Sequence, residues 1–107
     1  MTEEEKTGMM RQMSRALPVM RKSLKLSQSA LSDLTGVSRS VISNIERGRQ
    51  EMSWNAFIAL LLVFYYNDGS RNLFGAFGID TGKLRSFLAV GGSAAADPGK
   101  GVDENAS

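Results

Sequence analysis

The stretch Gln28–Arg47, QSALSDLTGVSRSVISNIER, decides the fold, because its spacing fits two short helices joined by a tight turn. Leu31, Val37, Ile42 and Ile45 recur so that they share one side, while Arg39, Ser40, Ser43, Asn44 and Arg47 share the other. Gly36 stands where the chain must reverse, and glycine takes positive φ there without steric cost. Ser27 and Ser38 precede the two helices as N-caps. Ala30 and Ser32 are small, as a steep crossing of two backbones requires.

Two short helices with this turn make the helix-turn-helix pattern, whose second helix is shaped for the DNA major groove. The wider segment MRKSLKLSQSALSDLTGVSRSVISNIERGR resembles the lambda repressor/Cro-like helix-turn-helix family, also called the xenobiotic-response-element type. The resemblance rests on Met20-Arg21, Leu26-Ser27-Gln28, Leu31-Ser32, Gly36-Val37-Ser38 and the run Ile42 to Gly48. It extends from Leu17 to Tyr66. Met20 replaces the family's leucine and Ser32 its alanine, each with a side chain of similar size.

The resemblance implies that the first turn of the second helix enters the groove. Arg39, Ser40, Ser43 and Asn44 are then the candidates for base edges. Arginine forks to guanine O6 and N7, and asparagine pairs with adenine N6 and N7, each discriminating by roughly 1–3 kcal/mol. Ser27, Gln28, Ser38, Arg47 and Arg49 are the implied phosphate contacts, with Gln28 at a helix N-terminus that itself favours anions. Lys22 and Lys25 are weaker candidates, better read as solvated cations. The family also pairs an arginine of its first helix with the glutamate that ends the recognition helix. Here that implies a structural ion pair between Arg21 and Glu46, not a catalytic carboxylate.

Charge is distributed in keeping with this. The net charge of the 107 residues is only +2. Yet Arg11, Arg15, Arg21, Lys22, Lys25, Arg39, Arg47 and Arg49 are opposed between residues 11 and 49 only by Asp33 and Glu46. Both ends of the chain are acidic, with Glu3, Glu4 and Glu5 near the start and Asp97, Asp103 and Glu104 near the end. A cationic segment coinciding with the motif is the electrostatic footprint of phosphate binding.

Composition excludes much else. There is no cysteine and no histidine, so disulfides are impossible, and neither a metal site nor a cofactor is expected. No nucleophile is paired with a base and no glycine-rich loop is suited to phosphates, which argues against an enzyme. The acidic start is no signal peptide, and the longest apolar run, Ala56–Tyr66, is too short to span a bilayer. A cytoplasmic, nucleoid-associated protein is expected.

The remaining chain reads as all-α: a compact lambda repressor-like domain of five or six helices with a disordered C-terminal tail. Residues 1–13 are an N-terminal arm or extra helix, with Thr2 and Glu5 spaced as a capping box. A first helix starts at Ser14 or Leu17 and ends at Leu24, with Pro18 in its first turn. A fourth follows Ser53 to Tyr66, a fifth is capped by Ser70 and runs to Phe77, and a sixth occupies Thr81–Val90. Residues 14–90 then form the binding unit with its helical extension, and 91–107, rich in Gly, Ala and acids, form the tail.

The fourth helix is apolar on both sides. Ile58, Leu62 and Tyr65, together with Phe74 and Phe77, are expected to form a dimer or partner surface unless the chain's own C-terminal part covers them. The leading reading is a sequence-specific regulator of transcription that binds double-stranded DNA as a homodimeric repressor. The alternative is an antitoxin-type interaction module that grips a protein partner and binds DNA for autoregulation.

Overall fold

The computed structural model describes residues 1–90; the tail expected at 91–107 lies outside them. Among the described residues every regular element is a helix: α1 Glu3–Ser23, α2 Gln28–Thr35, α3 Arg39–Glu46, α4 Trp54–Tyr65, α5 Asp68–Arg71, α6 Leu73–Ala76 and α7 Thr81–Leu88. None of them is long and apolar enough to cross a membrane.

Helix α1 departs from the expectation. It does not begin at Ser14 or Leu17 but runs unbroken from Glu3, so the expected arm is its first half. The capping box forms: Glu5 N–H donates to Thr2 Oγ1 at 3.0 Å, and Thr2 N–H donates to Glu5 Oε1 at 2.8 Å. Glu3, Glu4 and Glu5 at one end and Arg21 and Lys22 at the other complement the helix dipole.

Pro18 therefore lies inside the helix, not in its first turn. An interior proline costs about 3 kcal/mol through its missing N–H and its ring clash. Met13, Leu17 and Met20 on either side of it are fully buried, and each such burial is worth roughly 1.5–3 kcal/mol. Packing on both flanks outweighs the local penalty.

Helices α2, α3 and α4 start at serine caps, with Ser27, Ser38 and Ser53 accepting from the N–H groups of Ala30, Val41 and Ala56. Gly36 ends α2 at φ +77°, the left-handed conformation the turn needs. The core runs from α1 through Leu31, Ile42 and Ile45 to Phe57, Leu60 and Phe64 of α4.

Ser70 does not cap a fifth helix. It lies within α5, fully buried, and its hydroxyl donates to the carbonyl of Phe64 at 2.7 Å. Asn72 then divides the expected helix into α5 and α6. The serine is spent on closing α4 instead of opening the next helix. A Cβ at Gly69 would stand 3.2 Å from Leu24 Cδ2, so this turn seats directly on the end of α1.

Candidate nucleic-acid interface

Helix α3 is eight residues long and divided by burial. Ile42 and Ile45 are buried, Val41, Ser43 and Asn44 are half-buried, and Arg39 and Ser40 are exposed. Arg47 and Arg49 follow immediately, both exposed, with the Arg49 N–H bonded to the Asn44 carbonyl at 2.8 Å. Gly48 between them takes φ +74°. One end of α3 thus presents a guanidinium and a hydroxyl, and the other two further guanidinium groups. Asn44 is not free-standing: its Nδ2 donates to Gln50 Oε1 at 3.5 Å. Nothing in the sequence points to Gln50, since a lone glutamine in a loop belongs to no pattern.

Behind this surface lies an ionic node. Arg21 Nε donates to Glu46 Oε2 at 2.7 Å, and Arg21 Nη2 donates to Glu46 Oε1 at 2.9 Å. The third arm of the guanidinium, Nη1, donates to the Leu26 carbonyl at 2.9 Å. Both side chains are largely buried, at 12% and 9% exposure, which a charged pair tolerates only with such complete hydrogen bonding. Burial by itself would push the Glu46 carboxyl up. Hydrogen bonds from Arg21 and Gln28, with the charges of Arg21 and Lys22, instead hold it below the usual carboxylate value. The same bond from Glu46 raises Arg21 further. At neutral pH both groups are ionised, so Glu46 brings no free acid to the cationic face.

Residues 20–53 match the family model described as helix-turn-helix. Over this segment the chain is similar to helix-turn-helix proteins. The chain matches no curated protein and no solved structure. A helix-turn-helix of this family is a DNA-binding module, and α3 is its second helix.

Other candidates sit around the helix-turn-helix as follows. Ser27 and Ser38 are exposed, and their hydroxyl oxygens are engaged as caps of α2 and α3. Gln28 is half-buried, and its Nε2 donates to Glu46 Oε1 at 3.1 Å, an engagement that no spacing rule signals. Lys22 and Lys25 are exposed, and Lys25 adopts φ +58°, a left-handed backbone uncommon outside glycine.

The surface expected on α4 is mostly taken up by the chain itself. Phe74 is not part of an open face: it is buried at 3% exposure and meets Tyr65 edge-on with ring centroids 6.0 Å apart. Ile58, Tyr65 and Phe77 are half-buried against the core, and of the five candidates only Leu62, at 55%, stands open. Leu84 of α7 is buried in the core, and α7 meets α4 where Phe87 lies edge-on to Trp54 with ring centroids 6.1 Å apart. A shallow groove remains between them, lined by Leu61, Leu62, Tyr65, Tyr66, Leu84 and Leu88.

Proposed function

We propose that this chain is a sequence-specific, double-stranded-DNA-binding regulator of transcription, acting in the cytoplasm on the nucleoid as a homodimeric repressor. The binding unit and its helical extension, expected over residues 14–90, start instead with α1, which begins at Glu3 and whose Met9 and Met13 are in the core. Arg39, Ser40, Ser43 and Asn44 read base edges, while Ser27, Gln28, Ser38, Arg47 and Arg49 meet phosphates. The observation that carries this reading is the polarity of α3. Arg39 and Ser40 are exposed at its start and Arg47 and Arg49 just past its end, while its only acid is neutralised on the opposite side by Arg21.

Four side chains on one short helix reach only a few base pairs, too few to select a site among the many competing sequences of a genome. A two-fold dimer sets two such helices about 34 Å apart on an inverted repeat. The open Leu62 and the groove beside α7 are the apolar surface available for that pairing. The same groove supports the second reading, in which a protein partner occupies it and DNA binding is autoregulatory.

Selection of duplexes from a random pool, followed by binding across a salt series, tests the proposal. The expected result is an inverted repeat, with affinity falling by about 0.9 in logarithmic slope per phosphate neutralised by an arginine or lysine. Absence of salt-sensitive binding to any duplex removes the reading. Binding to a single unrepeated half-site removes the dimer.

A further inference from the structure

We infer that Gln28 is a positioning residue: its side-chain amide ties the first turn of α2 to the last turn of α3 and so sets the angle at which α3 is presented. The inference rests on the DNA-reading role of α3 proposed above.

The bond from Gln28 Nε2 to Glu46 Oε1, at 3.1 Å, is the one side-chain hydrogen bond between α2 and α3 among the described residues. Leu31 of α2 and Ile42 and Ile45 of α3 also share the apolar core. Such packing is strong but non-directional, and it leaves small rotations of one helix against the other inexpensive. A hydrogen bond to a charged acceptor is directional and stronger than a neutral one, and this one, at 3.1 Å, lies at the long end of the range. Reading base edges demands placement to within about 0.5 Å and 10–20°.

Two features make the Gln28 contact more than an incidental surface bond. Its acceptor is immobile, because Arg21 already holds both oxygens of Glu46 and is itself anchored to the Leu26 carbonyl. Its orientation is also unambiguous, because an ionised carboxylate only accepts, so the amino end of Gln28 must face it. Gln28 is the first residue of α2 and Glu46 the last of α3, so one amide spans the motif from end to end. The second N–H of Nε2 is not engaged within the described residues, and it is the group by which Gln28 would reach a phosphate.

These two roles separate by experiment. A phosphate contact contributes equally to a selected site and to an unrelated duplex, whereas the angle of α3 matters only where bases are read. The full-length protein and Gln28→Met, which keeps the length and removes the amide, are compared on both duplexes across a salt series. Residual dipolar couplings of α2 and α3 amides are recorded on each free protein. The expected result is a loss of affinity for the selected site about tenfold greater than the loss for the unrelated duplex, with a reorientation of α3 in the couplings. The scale is that of one hydrogen bond to a charged group. Equal losses on both duplexes, with the salt slope unchanged because a neutral amide displaces no counterion, overturn the inference in favour of a phosphate ligand alone. Unchanged couplings overturn it outright. Should Gln28→Met fail to fold, Gln28→Asn withdraws the amide by one methylene and is judged by the same two measurements. If the wild-type protein binds no duplex, the DNA reading falls, while the couplings still decide whether Gln28 orients α3.

Discussion

The helix-turn-helix and the flank formed by the start of α1 with α7 are held together in different ways. In α2 and α3 most of the order is local, since each cap bonds three residues ahead and Gly36 closes the turn. In the flank, residues from opposite ends of the chain meet. Lys83 Nζ donates to Glu5 Oε2 at 2.7 Å across 78 residues of sequence. The Lys6 ammonium lies 4.8 Å from the Trp54 ring centre and 5.5 Å from that of Phe87, and the two rings are edge-on at 6.1 Å. The motif therefore carries its own shape, whereas the flank acquires one only after the chain has closed on itself. Arg21 and Glu46 join the motif to α1 by the one buried ionic contact of the described residues, so they should matter most.

The sharpest way to break the contrast is Glu46→Ala. It leaves the Arg21 guanidinium largely buried with only the Leu26 carbonyl for a partner. A loss of about 3 kcal/mol is expected, read by urea denaturation. A loss no larger than that of an exposed pair would place the motif and the flank on the same footing.

Next in size is Arg39→Ala with Asn44→Ala, which should leave the denaturation midpoint nearly unchanged. Site-specific affinity should fall by roughly 1–3 kcal/mol for each base-reading side chain removed, measured by fluorescence anisotropy. An unchanged preference between selected and unrelated duplexes would move base reading elsewhere.

The ionic node also predicts a pH dependence. Glu46 is held below its ordinary 4.5, so its contribution is full above that value and is lost as pH falls through its folded-state value. Glu5, drawn down to about 2 by Lys83 and the Thr2 N–H, behaves in the same direction. Acid titration of stability should therefore fall below pH 4.5, and Glu46→Gln should flatten the part that tracks α3 amides while leaving the α7 amides alone. A fall at neutral pH would contradict the assignment.

The smallest effect belongs to the flank. Lys6→Met removes the cation between Trp54 and Phe87, at a cost of about 0.5–1 kcal/mol. Trp54 is the only tryptophan, so its emission reports the change directly. DNA affinity should not move. If it does, the flank and the reading helix are coupled more tightly than their separate construction implies.

Much of the architecture is legible from residue types. The two serine caps of the motif, the glycine turn and the buried faces of α2 and α3 follow from spacing. Pro18 misleads because the rule for proline is local, whereas the burial of Met13, Leu17 and Met20 that overrides it is not. Ser70 misleads similarly: a serine before an apolar run resembles a cap, and nothing in its neighbours reveals that the Phe64 carbonyl awaits it. Phe74 is surplus to one helix until Tyr65 and the core cover it.

Sequence alone determined the all-helical character, the position of the turn and which residues of α3 face away from the core. Those properties depend on interactions reaching three or four residues, where the order of side chains is already the geometry. Only the tertiary structure decided that α1 runs straight through its proline, that α7 closes on the start of α1, and that the Gln28 amide finds Glu46. Each of these depends on a partner far along the chain, whose arrival is governed by how the core packs.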